Sequence, residues 1–224
     1  MDYSPIWISL KTAGATILVV FFFGLAAAKA VAALRQEKLK ILLDSLLTLP
    51  LVLPPTVAGF FLLYIFGIHR PVGRFFIEYF SVRIAFSWGG TVLAAGVISF
   101  PLMYRSARGA LEQVDENLIF AARTLGFSEW KIFWEVEFPQ ALPGIASGGI
   151  LAFARGMGEF GATAMIAGNI AGKTRTLPLA VYSAVSAGDM DTAMFYVGII
   201  LGISFLVVLL MNYFTGKEKK RQGS

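Results

Sequence analysis

Residues 7–28 read WISLKTAGATILVVFFFGLAAA, with Lys11 as the one charge among them. An α-helix rises about 1.5 Å per residue, so about 20 apolar residues cross the roughly 30 Å of hydrocarbon in a bilayer. This stretch meets both conditions. Four more do so: 45–68, uncharged but holding Pro50, Pro54 and Pro55; 84–104, uncharged; 138–168, holding Arg155 and Glu159; and 192–214, uncharged. The whole chain agrees with its parts. Of 224 residues 57% are hydrophobic and 15% charged, against about 45–50% and about 25% in soluble domains. A soluble core of this length could not hide so much apolar surface, and disorder needs the opposite balance. The expected fold class is all-α: a polytopic helical membrane bundle of about five spans, one domain over residues 1–224. Asp2 precedes the first run, no basic segment does, and no small-residue cleavage site follows, so that run is expected to stay as a span.

Lys and Arg set the orientation, because short cytoplasmic loops hold an excess of them. With the N-terminus outside, the inner side carries Lys29, Arg35, Lys38 and Lys40, then Arg105, Arg108, Arg123 and Lys131, then the basic tail 215–224 with Lys217, Lys219, Lys220 and Arg221. The outer side holds half as many: Lys11, Arg70, Arg74, Arg83, Lys173 and Arg175. The bias favours the N-terminus outside. The outer cations could draw anions toward the mouth or meet an acidic partner. The net charge of +5 is thus a matter of topology, and no basic face for nucleic acid is expected.

Several chemistries drop out. Zero cysteines exclude disulfides, cysteine-based zinc sites and thiol nucleophiles, and His69 alone cannot make a histidine metal site. No cofactor or metal is expected. Residues 172–174, GKT, echo a phosphate loop, but the glycine required five residues before Gly172 is Ala167, and Leu177-Pro178 stands where a helix should continue. No serine–histidine–acid set is present, so an enzyme is not the expectation.

Between the third and fourth spans, residues 105–138 are too long for a plain connection. Val114, Leu118, Ala121, Ala122 and Leu125, then Ile132, Phe133 and Val136, recur at helical steps, interrupted at Gly126-Phe127-Ser128. That pattern predicts a helix, a glycine stop, a serine cap and a second helix. Lys131 occupies the place of the capping-box acid, so the restart rests on Ser128. The pair could lie on the membrane surface or face a cytoplasmic partner. Glu112, Asp115, Glu116, Glu129, Glu135 and Glu137 outnumber the local bases, which favours the partner.

Ala121-Ala122, three residues, Gly126, then Val136, Phe138 and Pro139 resembles the E-A-A-x3-G-x9-I-x-L-P signature of ABC importer permeases. In that family the segment, here about 111–139, is a coupling helix that docks on the ATP-hydrolysing subunit. Two positions depart: Phe120 stands for the Glu and Phe138 for the Leu. Glu116, one helical turn earlier on the same face, is expected to supply the missing carboxylate. Residues 49–55 (LPLVLPP), 99–102 (SFPL), 153–162 (FARGMGEFGA) and 174–178 (TRTLP) narrow the resemblance to the sulfate, molybdate and tungstate oxyanion branch, molybdate most closely. The resemblance implies an inner-membrane permease subunit that moves a tetrahedral oxyanion by alternating access. Its implied partners are a second copy of the chain, two cytoplasmic ATP-binding subunits and a periplasmic or surface substrate-binding protein. Sulfate or thiosulfate is the alternative cargo. A self-sufficient carrier should instead show internal repeats or paired broken helices, and no repeat is visible.

Two features bear on the path. Arg155 and Glu159 stand at i and i+4, and Gly144, Gly148, Ala152, Gly156 and Thr163 fall within the same arc of about 120°. Small-residue faces pack against helices, so the charges are expected inside, either as a pair locking the bundle or along a water-filled path. Pro50, Pro54 and Pro55 lack amide donors, which predicts irregular backbone over 49–56 and a restart near Pro55. Such backbone persists in hydrocarbon only when covered, so Pro54 and Pro55 are expected beside the pore, the alternative being an interfacial elbow.

Overall fold

The computed structural model describes residues 2–222, with side chains through Asn212. Every regular element among them is helical: α1 Ser4–Ala32, α2 Glu37–Val52, α3 Pro55–Phe66, α4 Pro71–Phe80, α5 Trp88–Glu112, α6 Glu116–Thr124, α7 Glu129–Ile132, a π-helical turn Phe133–Glu137, α8 Phe138–Met157, α9 Gly161–Ile166, α10 Leu177–Ser186 and α11 Met190–Gln222. The basic tail expected at 215–224 lies outside the residues whose side chains are described.

α5 is the axis of the bundle, packed along both α1 and α8, which also meet each other. α1 buries Thr12, Thr16, Val20, Gly24, Ala28 and Val31, a three- and four-residue rhythm that puts one stripe inward. Val20, Ala28, Met103, Tyr104, Ala107, Ile145 and Ala152 form the main core. α8 meets α5 through its small face, as its sequence predicts: a Cβ on Gly148 would lie 2.4 Å from Ser106 Cβ. A second core joins α3 and α9 through Ala58, Leu62, Ala162 and Ile166. α10 and α11 pack together through Leu177, Ala180 and Tyr196.

Helix boundaries depart from the apolar runs wherever hydrogen bonding overrides hydropathy. The third run starts as helix only at Trp88, after left-handed Phe86 (φ 57), where Ser87 caps Gly90 N at 3.4 Å. It then runs past Tyr104 to Glu112, because nothing there breaks the ladder. The second run is two helices bent by 110°; α2 absorbs Pro50 and continues to Val52, so the break is confined to Leu53 and Pro54. The fourth run is not one rod over 138–168 either. α8 stops at Met157 and α9 begins at Gly161. Two helices went unforeseen, α4 and α10, each opening with proline in its first turn. Among the described residues, α1 and α11 are each long and apolar enough to cross a membrane alone, and the bent α2–α3 pair makes a third crossing if taken as one.

Candidate functional site: a docking insert and two facing helix breaks

The insert between α5 and α8 is a built unit. Asp115 caps α6 by accepting from Asn117 N at 2.9 Å. Gly126 ends it in the left-handed region at φ 77, with Phe127 N bonded to Ala122 O at 3.1 Å and Gly126 N to Arg123 O at 3.0 Å. This Schellman closure is the physical content of the Ala122-x3-Gly126 spacing. Ser128 then caps α7 through Lys131 N at 3.3 Å, as expected. Arg123 clasps the two helices by donating to both Glu129 oxygens, at 2.7 and 3.1 Å. That hydrogen bonding holds the Glu129 carboxyl below its usual range.

What the unit shows outward is a set of large apolar side chains among charges. Phe120, Leu125 and Trp130 are 55%, 75% and 72% exposed, and Leu118 is exposed beside them. Glu116 and Ala121 are exposed as well, whereas Ala122 turns inward and Val136 is half-buried. Phe138 N reaches back to Phe133 O, five residues earlier, and Pro139 follows at the head of α8. Proline donates nothing to the ladder, which favours the widened turn at this junction. Buried Glu137 pairs with Lys29 of α1. A cleft of about 1020 Å³ lies beneath, lined by Lys29, Arg35, Lys40, Glu112, Glu116 and Arg123 among others.

A polar cluster at the same end escaped the sequence reading. Asp44 on α2 accepts from Tyr104 Oη at 2.9 Å and from Arg108. Arg108 also donates to Glu112 at 3.0 Å, and Lys40 pairs with Glu112 at 3.0 Å. Burial works against the Glu112 charge, but hydrogen bonds from Arg108 and Lys40 outweigh it and keep the carboxyl below its usual range. The i,i+4 spacing of Arg108 and Glu112 was the one visible signal.

The two helix breaks meet. A Cβ on Gly161 would lie 3.2 Å from Pro55 Cβ, and one on Gly59 would lie 2.6 Å from Ala162 Cα, so α3 and α9 sit backbone to backbone. Glu159, 2% exposed, spans its own break: Oε2 accepts from Arg155 Nη1 at 2.8 Å and Oε1 from Ala162 N at 2.8 Å. The Arg155 side chain keeps 34% exposure. The structure therefore joins Pro54, Pro55 and Glu159 in one place, with Arg155 tied to it. Glu116, Ala121, Ala122, Gly126, Val136 and Pro139 form the separate insert.

The GKT stretch is a turn and not a cradle, since Thr174 is buried and bonded to Ile170 N at 3.0 Å and Gly168 O at 3.3 Å. No group of three or more acidic, histidine or cysteine side chains suited to a metal occurs among the described residues.

Solved structures share this fold. The MetNI methionine ABC transporter matches at 17% identity and TM-score 0.68, covering 94% of each chain. A bacterial ABC transporter that imports alginate matches at 12% identity and TM-score 0.77, covering 96% of this chain and 78% of that one. In sequence, the molybdenum transport system permease protein ModB of Escherichia coli strain K12 is 40% identical over 224 residues, 99% of this chain and 97% of its own. That of Haemophilus influenzae is 40% identical over 186 residues, 82% and 81% of the two chains. The sulfate transport system permease protein CysT of Escherichia coli is 33% identical over 180 residues, 80% of this chain and 65% of its own. Residues 20–220 match the family model described as binding-protein-dependent transport system inner membrane component, and the chain belongs to that family.

Proposed function

We propose that this chain is the permease subunit of an ATP-driven molybdate importer, working as two copies with two ATP-binding subunits and an external binding protein. Members of this family are inner-membrane permease subunits that work with ATP-binding subunits and substrate-binding proteins, and are not themselves the ATPase. The observation that carries the reading is the insert. Phe120, Leu125 and Trp130 project among exposed charges from a capped and clasped pair of helices, large apolar side chains of the kind that a protein partner covers. A carrier without a motor has no use for it. The two helix breaks are a feature shared with such carriers, but the insert sets this chain apart from them.

The cargo follows from the ModB relatives, with sulfate second because CysT is the more distant match. The five crossings are α1, α2–α3, α5, α8–α9 and α11, with the N-terminus outside and the insert cytoplasmic, as the distribution of Lys and Arg favours. Glu116 stands in for the signature carboxylate beside Phe120. The path runs past Pro54, Pro55, Arg155 and Glu159. Arg155, part exposed, is the group able to meet an anion there, while Glu159 spends both oxygens on the fold. ATP-driven closure of the motor subunits displaces the inserts, and the two bundles rock between outward and inward openings.

The test is reconstitution of the chain with its ATP-binding subunit and binding protein in vesicles, measuring labelled molybdate uptake with sulfate and tungstate as competitors. ATP-dependent uptake with molybdate preferred over sulfate is expected. Concentration of molybdate, or hydrolysis of ATP, by this chain alone would overturn the reading.

A further inference from the structure

We propose that the cluster of Lys40, Asp44, Tyr104, Arg108 and Glu112 is the joint through which movement of the docking insert reaches the broken helix pair α2–α3. This rests on the proposed function only in that a motor subunit moves the insert.

Among the described residues, a polar link stands at each root of the insert. One, Lys29 to Glu137, ends on α1, which is locked into the core by a buried stripe along its whole length. The other lies at the opposite root of the insert, where Glu112 closes α5, and crosses to Lys40 of α2, a helix with no fully buried residue. A push on the insert therefore meets a closely packed helix through α1, and through the last turn of α5 a looser one, α2, which meets the core through half-buried Leu43 and Leu47. Close packing resists sliding, because every displaced atom opens a void, whereas hydrogen-bonded charges at a surface can pivot.

The geometry of the second link suits a pivot. Lys40 and Asp44 are one turn apart on α2; Tyr104, Arg108 and Glu112 repeat at one-turn steps on α5. The two rungs interlock: Tyr104 Oη and Arg108 both donate to Asp44, and Lys40 meets Glu112 at 3.0 Å. Tyr104 is wholly buried and stacked on Phe100 at 6.1 Å and 6°, so its hydroxyl is a fixed point in the core. Glu112 is the last residue of α5, three before Asp115, the cap of α6. Beyond Asp44, α2 runs uninterrupted to the Leu53–Pro54 break and the start of α3. One end of α2 is thus beside the insert and the other beside the candidate path.

The chain has no cysteine, and Val52 at the far end of α2 is 83% exposed. Val52→Cys places a single thiol of this chain there in the complete transporter, and its labelling by a membrane-permeant maleimide is measured with and without a non-hydrolysable ATP analogue. If the joint transmits, the nucleotide changes the labelling rate about fivefold or more, the low end of ordinary coupling between sites. Adding Asp44→Asn brings that ratio close to one while the amount of assembled complex stays the same. Tyr104→Phe, which removes only the hydroxyl, lowers the ratio less. The exchange Asp44→Arg with Arg108→Asp restores part of it. An unresponsive Val52→Cys label in the parent, or an equal response with Asp44→Asn, overturns the proposal. A fall explained by loss of complex gives Asp44 a structural role only and overturns it as well. Because the label is read without cargo, loss of molybdate uptake with a responsive label would refute the proposed substrate and leave the joint standing.

Discussion

Arg155 closes the last turn of α8 onto Glu159 at 2.8 Å, and Glu159 passes the contact on by accepting from Ala162 N at 2.8 Å, so one buried carboxylate splints two helices across a break. Glu159 thus ties α8 to α9 through contacts within a few residues of itself, while the Arg155 side chain stays partly exposed.

The two partners should fail unequally. Arg155→Met leaves a carboxylate buried with one amide partner, and costs about 3 kcal/mol by the usual penalty for an orphaned buried charge. Glu159→Gln keeps an acceptor for Ala162 N and leaves the charge on the more exposed partner, so it costs about 1 kcal/mol. Thermal unfolding of the detergent-solubilised complex should show that order. The double variant should match Glu159→Gln alone and not the sum.

On the insert, Phe120→Asp and Leu125→Asp each place a charge at an exposed apolar position; Phe120→Asp also removes the ring that the Arg123 guanidinium overlies at 5.8 Å, so Leu125→Asp is the cleaner of the two. Each should weaken retention of the ATP-binding subunit about tenfold or more, as loss of a central interface anchor does. Glu116→Ala should leave retention nearly intact and lower transport-coupled ATP hydrolysis. Equal coupling in Glu116→Ala would leave the signature carboxylate without a substitute. Co-purification and vesicle assays read the two effects separately.

Acid should loosen this end of the molecule first. Glu112 and Glu129 are both held below the ordinary 4.5 in the folded state. Their stabilisation is therefore complete above that value and is lost as pH falls through the lowered ones. The hydrogen-exchange protection of α6 and α7, taken relative to the intrinsic rate at each pH, should be flat from neutral pH down to about 5 and fall below about 4.5. Glu112→Gln with Glu129→Gln should show the loosened state at neutral pH and remove the acid dependence.

The α5–α8 contact leaves no room for a methyl group. A Cβ on Gly148 would stand 2.4 Å from Ser106 Cβ, so Gly148→Ala must force the helices apart, at about 1–3 kcal/mol. Ser106→Gly removes the obstructing carbon, and Gly148→Ala with Ser106→Gly should recover most of the loss in thermal unfolding. Gly198→Ala, with nothing within 4 Å, serves as the control.

Hydropathy and spacing were enough for the all-α membrane class, the small face of α8, the helix stop at Gly126 with its restart at Ser128, and the Arg155–Glu159 pair. Each is a local matter: a run of apolar residues, a step of three or four, a φ that glycine accepts. The length of α5 was not legible, because an apolar run ends where lipid ends while the hydrogen-bond ladder continues through Arg105 and Arg108 to Glu112. Nor was the break at Gly158–Phe160, since FARGMGEFGA has no proline and reads as continuous helix.

Only tertiary structure decided that the break after Leu53 lies against the one before Gly161, that Asp44 finds Tyr104 and Arg108 across 60 and 64 residues, and that Lys29 finds Glu137. The reason is physical. In a bundle the same apolar stripe can pack against several neighbours with similar gain, so sequence alone determined which residues turn inward. Which helix each of them meets depends on shape fit and on polar partners that exist only once the whole chain has come together.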